Sequence, residues 1–327
     1  MITPTKMMMN RALLILLLAA FPLFADTYSP ESLQNISVTV RVPGGTGSGV
    51  LITRGGTNYV LTAGHVIEDV RKVQNFTDNA TGERKRLTRF DPVKVVREVI
   101  KDGRSVGKTE IEAAVIAFSS SDYGDDLALL KLRDKITDDS TTFYAGSAIP
   151  GSGTAVSHVG SFLGQDGSNS FSEGKISQIG RTINDHVFDQ TSAPAFPGSS
   201  GGGMFLANNG EYIGCLTRGA GETFNLIVPI RRIKEWAKKH QVEFLFDPAS
   251  KPDESKILLE GLEPDSSVSS YMNRDWKEWK TRFLYATPIQ PEKPKAPSQE
   301  ETPAVSSKSP EPSFWALLCK WIVANGK

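Results

Sequence analysis

Residue types that together can activate a hydroxyl recur in this chain at separated positions. The stretch FPGSSGGGMF, Phe196 to Phe205, holds Ser199 and Ser200 followed by three glycines. A nucleophilic serine needs a base to take its proton, a group that orients the base, and donors for the developing oxyanion. The 327-residue chain has only four histidines, which shortens the search for that base. His65 stands in YVLTAGHVIEDV, at the end of an apolar strand where a side chain projects from a rigid edge. His158 lies within the strand-like TAVSHVG and is expected to be a hydrogen-bonded core residue; His186 is in the polar RTINDHVF, and His240 closes a helical segment. Asp126, in GDDLALLKL, sits where the chain enters an apolar strand. A carboxylate buried there needs a partner, and an imidazole supplies one. Gly198 is open to backbone conformations closed to other residues, so the N–H groups of Gly198 and Ser200 can point into one concavity as an oxyanion hole.

The elements that would hold these groups are short strands. From Ile36 to about Pro229, segments such as SVTVRV, GVLITR, NYVLTA, AAVIAFS, DLALLKL, GKISQIG, GEYIGCL and FNLIVPI are rich in Val, Ile, Leu and aromatics, with Gly, Asn, Asp or Pro between most of them. Many short strands with little helix imply an all-β sandwich or barrel. A helix follows, since IRRIKEWAKKH puts Ile230, Ile233 and Trp236 on one face. The serine stretch also satisfies G-x-S-x-G, the nucleophile elbow of α/β-hydrolases. That fold demands a helix after the serine and an acid and histidine later in the chain. Here GGGMFLANNGEYIG reads as strand, turn, strand, and only His240 remains downstream as a base.

TAGHV, DLALL and GSSGG, in that order, resemble the His, Asp and Ser segments of the chymotrypsin-like (trypsin-like) serine peptidases. DQTSAPAFPGSSGGGMF followed by NNGEYIGCL, together with SEGKISQIGR and FNLIVPI, resembles the HtrA-type bacterial branch over roughly residues 35 to 245. The resemblance implies two six-stranded antiparallel β-barrels with the site between them, His65 as general base, Asp126 orienting it, and Ser200 as nucleophile. Ser199 would then contribute position rather than chemistry. The chain departs from the branch at Gly203, at Ser161-Phe162 and at His158, and no PDZ domain is recognisable after the barrels. By the same matching, Pro194 lies near the floor of the primary specificity pocket, with Ala195, Gly219 and Phe224 as walls. With no carboxylate at Pro194, a small or medium apolar residue is expected before the scissile bond. The expected substrates are proteins or peptides. A protease fold that binds partners without turnover is the rival reading, and the complete His, Asp and Ser set speaks against it.

Zero formal net charge gives no support for a nucleic-acid partner. No His, Cys and carboxylate set has metal-ligand spacing and there is no phosphate-binding loop, so no cofactor or metal is expected. Residues 1–25, with Lys6 and Arg11 before the apolar run Ala12 to Phe24, read as a secretory signal peptide and imply export to a periplasm or the exterior. Residues 30–246 form the expected peptidase domain. Residues 247–287 are an extension with an amphipathic helix bearing Trp276, Trp279 and Phe283, residues 288–312 a Pro-rich disordered linker, and residues 313–327 a short apolar tail. That tail is a candidate for contact with a membrane surface or a protein. Cys215 is expected to be a buried strand residue with no disulfide to Cys319.

Overall fold

The apolar runs and their intervening turns become the strands of two closed six-stranded barrels. The computed structural model describes residues 28–77, 84–122, 124–164, 167–219, 223–252 and 287–288. A short helix, α1 (Pro30–Asn35), leads in; it is capped by Ser29, whose side chain accepts from the Ser32 N–H. Eight strands follow: β1 (Ser37–Val42), β2 (Gly45–Arg54), β3 (Thr57–Thr62), β4 (Arg71–Thr77), β5 (Arg84–Phe90), β6 (Val93–Lys101), β7 (Arg104–Ser119) and β8 (Leu127–Leu132). The first barrel closes in the order β1-β2-β3-β8-β7-β6, leaving β4 and β5 as an antiparallel hairpin outside it.

The second barrel uses β9 (Ala155–Phe162), β10 (Gly167–Ile183), β11 (His186–Thr191), β12 (Gly203–Leu206), β13 (Tyr212–Gly219) and β14 (Asn225–Pro229). Its order is β10-β11-β14-β13-β12-β9, and all of its pairings are antiparallel. Closure removes the open edges that short strands would otherwise present. A second helix, α2 (Ile230–Lys239), follows β14, and it buries Ile230, Ile233 and Trp236 as its spacing requires. A two-residue strand, β15 (Thr287–Pro288), pairs with β4.

The interior is continuous between the barrels. One apolar cluster takes in Tyr59 and Phe118 of the first barrel, Phe205 and Tyr212 of the second, Phe143 of the connecting segment and Trp236 of α2. A smaller cluster, with Met204, Ile213 and Ile227, fills the second barrel. The connector is stitched to both sides, because Thr141 N–H donates to Leu51 O and Tyr144 N–H to Tyr212 O. The barrels therefore meet along a seam that hydrogen bonds as well as apolar contacts hold in place.

The chain divides into a unit Met1–Ile289 and a unit Gln290–Lys327, and the second contains no described residue. The expected signal peptide, the expected helix bearing Trp276, Trp279 and Phe283, the expected Pro-rich linker and the expected apolar tail all fall outside the described residues. Among the described residues no helix is long and apolar enough to cross a membrane.

Candidate active site

His65 leaves β3 on a 3-10 turn, Gly64–Val70. The backbone passes so close to the end of β7 that a methyl group on Gly64 would lie 2.2 Å from Ser119 O. Only glycine fits there, and the tight approach brings His65 onto Asp126. The His65 main-chain N–H donates to Asp126 Oδ1 at 2.9 Å, and its ring Nδ1 lies 3.0 Å from Oδ1 and 3.1 Å from Oδ2. The Asp126 side chain is 3% exposed and that of His65 35%, so the carboxylate is sheltered while the ring reaches solvent. An ionised carboxylate only accepts, so Nδ1 carries the proton and Nε2 keeps a free lone pair.

Asp126 has φ +56, a left-handed conformation unusual outside glycine. Its loop is held from several sides. Asp125 N–H donates to Ser119 Oγ at 2.7 Å and Gly124 N–H to Ser120 O at 3.0 Å. Two arginines from the second half of the chain complete the brace. Arg218 Nη2 donates to Ser121 O at 3.1 Å, while Arg232 Nη2 donates to Asp125 Oδ1 at 2.7 Å and lies 3.3 Å from His186 Nδ1. Burial, reinforced by the Arg232 charge, holds the His186 imidazole below its ordinary range. Neither arginine carries a local sequence signal, since their partners are about 100 residues away.

The segment leading to Ser200 is a tight turn from Phe196 to Ser199. Ser199 N–H donates to Phe196 O at 2.9 Å, Pro197 takes the second position, and Gly198 at φ +96 takes the third, the geometry of a type II turn. A methyl group on Gly198 would also lie 2.1 Å from Ser161 O, so space and conformation both require glycine. Ser199 is 1% exposed and its Oγ accepts from Phe196 N–H at 3.1 Å, which is a role in shaping the turn.

The turn is pressed against the first barrel next to His65. Ser48 N–H of β2 donates to Ser200 O at 2.7 Å, and a methyl on Gly201 would sit 2.1 Å from Ser48 O and 3.0 Å from Ala63 N. A methyl on Gly47 would meet both Val66 Cγ2, at 2.5 Å, and Ser200 O, at 3.0 Å. The structure thus brings Ser200 and the chain around His65 to the same seam.

Two peptide groups of the turn have fixed orientations. Pro197 O accepts from Leu163 N–H at 2.7 Å, and Ser199 O accepts from Gly202 N–H at 2.9 Å. No peptide among the described residues is cis, so the N–H of Gly198 and that of Ser200 point away from those acceptors. Neither N–H has an acceptor among the described residues. Two unpaired donors, one on either side of Ser199, are the kind of groups a developing oxyanion requires.

His158 is fully buried beneath this turn. Its Nδ1 lies 2.9 Å from Gly203 O, which only accepts, so the proton is on Nδ1. Nε2 has no partner among the described residues, and burial pushes the imidazole down to about 4. The ring stacks on Phe162 with centroids 5.8 Å apart. The expected core histidine is therefore bonded on one side only. Cys215 is a buried free thiol, pushed up by burial and by the nearby Asp126 carboxylate.

Around the anticipated specificity pocket, Pro194 and Ala195 are half-buried, with Pro194 O accepting from Ser172 Oγ at 2.8 Å. Gly219 is exposed, and Phe224 lies under the Arg181 guanidinium, 5.2 Å from its ring centroid. One residue there was not anticipated. Asn225 is 1% exposed, its Nδ2 donates to Ala193 O at 2.8 Å, and its Oδ1 would be 2.3 Å from a methyl on Gly219. An amide thus spans the space from Ala193 to Gly219, and its only sequence signal is a polar residue in the apolar FNLIVPI. Among the described residues no group of three His, Cys, Asp or Glu is placed to hold a metal ion.

A family model described as a trypsin-like peptidase domain matches residues 47–214. In fold the chain is similar to the serine endoprotease from Yersinia pestis, with 22% identity, a TM-score of 0.46, and coverage of 67% of this chain and 68% of that one. It is likewise similar to Deg5, with 20% identity, a TM-score of 0.45, and coverage of 63% of this chain and 88% of that one. No curated protein matches the sequence.

Proposed function

Because the chain belongs to the trypsin-like peptidase family, we propose that it is an exported serine endopeptidase of HtrA type, acting on proteins or peptides in quality control or processing. The observation that carries this reading is the His65 ring held through Nδ1 by the buried Asp126 carboxylate, which leaves Nε2 as a base. Ser200 Oγ attacks the scissile carbonyl carbon while His65 Nε2 takes the hydroxyl proton. The oxyanion is stabilised by the N–H groups of Gly198 and Ser200. As the C–N bond breaks, Nε2–H passes its proton to the departing amine and leaves an acyl group on Ser200. Water then attacks the acyl-enzyme with His65 again as base, releasing the acid and restoring Ser200.

The Asn225 amide and the absence of a carboxylate at Pro194 support selection of a small or medium apolar residue before the scissile bond. Labelling with a fluorophosphonate probe tests the core of the reading. The parent should label, and Ser200→Ala and His65→Ala should not. A folded parent that stays unlabelled, both intact and after removal of the residues beyond Phe246, would exclude catalysis at Ser200.

A further inference from the structure

Ser48 makes an unusual set of contacts for a residue that is fully buried in a barrel strand. Its main-chain N–H donates to Ser200 O at 2.7 Å, and its Oγ donates to Gly198 O at 2.7 Å. The same Oγ accepts from Ser161 N–H of β9 at 2.8 Å, while Ser48 O accepts from Thr62 Oγ1 at 2.6 Å. A serine hydroxyl has one proton, and a carbonyl oxygen cannot donate, so the direction of this chain is settled: Ser161 N–H to Ser48 Oγ–H to Gly198 C=O. Bonds in such a relay polarise one another, which stiffens both ends.

The two carbonyls that Ser48 grips belong to Gly198 and Ser200, the residues whose N–H groups have no acceptor among the described residues. We infer that Ser48 is a positioning residue, a latch by which the first barrel fixes the oxyanion-binding turn of the second. The inference rests on the peptidase reading for its catalytic consequence, but its structural content stands on the hydrogen bonds alone. Of the flanking glycines, Gly47 serves the same approach, while Gly49 faces the interior of the first barrel. A methyl on Gly47 would strike Val66 and Ser200 O, and one on Gly49 would lie 2.4 Å from Val60 Cγ1. Gly47 therefore leaves room for the turn to come onto the Ser48 hydroxyl. Without that hydroxyl, Gly198 O and Ser161 N–H both lose a partner, and the Gly198–Ser199 peptide loses its tether to the first barrel. A donor that moves by about 1 Å stabilises a transition state far less than one held in place, while ground-state substrate contacts are little changed.

The test compares the full chain with Ser48→Ala and Ser48→Cys, the latter keeping the shape with a weaker donor. The fluorophosphonate places an oxygen where the oxyanion forms, so its labelling rate reads the turn directly. Labelling of Ser48→Ala should slow about 10- to 100-fold and that of Ser48→Cys less. The apparent probe affinity should stay within about twofold, and peptide turnover should show the same loss in kcat with KM kept. Crystal structures of the parent and Ser48→Ala give a second readout that needs no turnover, with the Gly198 peptide expected to be rotated or disordered in the variant. Labelling of Ser48→Ala within about twofold of the parent overturns the inference, as does a Gly198 peptide unmoved in its crystal structure. A parent that fails to label both intact and after removal of the residues beyond Phe246 removes the peptidase reading, and the pair of crystal structures still decides whether Ser48 is a latch.

Discussion

His65 donates to Asp126 twice, from its main-chain N–H at 2.9 Å and from its ring at 3.0 Å, so one carboxylate sets both the position and the tautomer of the imidazole. Asparagine in place of Asp126 keeps an acceptor for the main-chain N–H. Its amide can also turn an N–H toward Nδ1, which would put the ring proton on Nε2 and leave no base. Asp126→Asn should therefore fold normally by circular dichroism and lose about 10⁴ in kcat, the scale seen when such a triad is left in the wrong tautomer. A loss below about tenfold on a peptide substrate would show that the carboxylate does not orient the base.

The approach of Gly64 to the end of β7 predicts a second cost. Gly64→Ala places a methyl 2.2 Å from Ser119 O, so either β7 or the turn carrying His65 must shift. The expected destabilisation is about 1–3 kcal/mol, with loss of labelling at Ser200. Gly45→Ala is the control, because nothing lies within 4 Å of the added methyl, and it should stay within about 0.5 kcal/mol of the parent in urea unfolding. Equal effects at the two sites would contradict the packing described.

Arg232 and Asp125 join α2 to the aspartate loop with both side chains largely buried. Removing one partner strands the other charge, so a cycle of Arg232→Met, Asp125→Asn and the double variant should give a coupling of about 1–3 kcal/mol. The guanidinium also helps hold the His186 imidazole low, after burial. In Arg232→Met the His186 pKa, followed by NMR, should therefore rise. A pKa that falls or stays in place would remove the electrostatic link.

The local features of this site were legible in the sequence, and the features carried by distant contacts were not. TAGHV and DLALL point to a paired histidine and carboxylate, and GSSGG to a turn that needs glycine, because each depends on neighbours within a few residues: an apolar strand end, a strand entry, a positive φ. The helix after β14 was equally plain, since Ile230, Ile233 and Trp236 share one face. Strands β4 and β5 escaped because RKVQNFT and RKRLTRF carry several charges and form a hairpin outside the barrels, so that no continuous apolar run marks them. Ser48 and Asn225 escaped for another reason. Each is an ordinary polar residue in an apolar strand until its partner, Gly198 or Ala193, is brought beside it from 150 or 32 positions along the chain.

The last prediction concerns His158, whose imidazole is buried without a partner on Nε2 and whose pKa is pushed from 6.5 down to about 4. The folded state keeps this ring neutral, whereas the unfolded chain protonates it below the ordinary imidazole value near 6.5. Between those two values the unfolded state binds more protons, so stability rises with pH and is lost as pH falls from about 6.5 toward 4. From pH 7 to pH 4.5 the loss from this one group is about 2 kcal/mol. His186, also held low, adds a contribution of the same sign, so the parent alone cannot isolate the effect. The comparison that does so is His158→Gln, which keeps a donor for Gly203 O and does not titrate. Urea unfolding at pH 7 and pH 4.5 should show the parent losing about 2 kcal/mol more than the variant. Equal losses would mean that the ring gains a proton in the folded state as readily as in the unfolded one, and that its site beneath the turn before Ser200 is not closed to water.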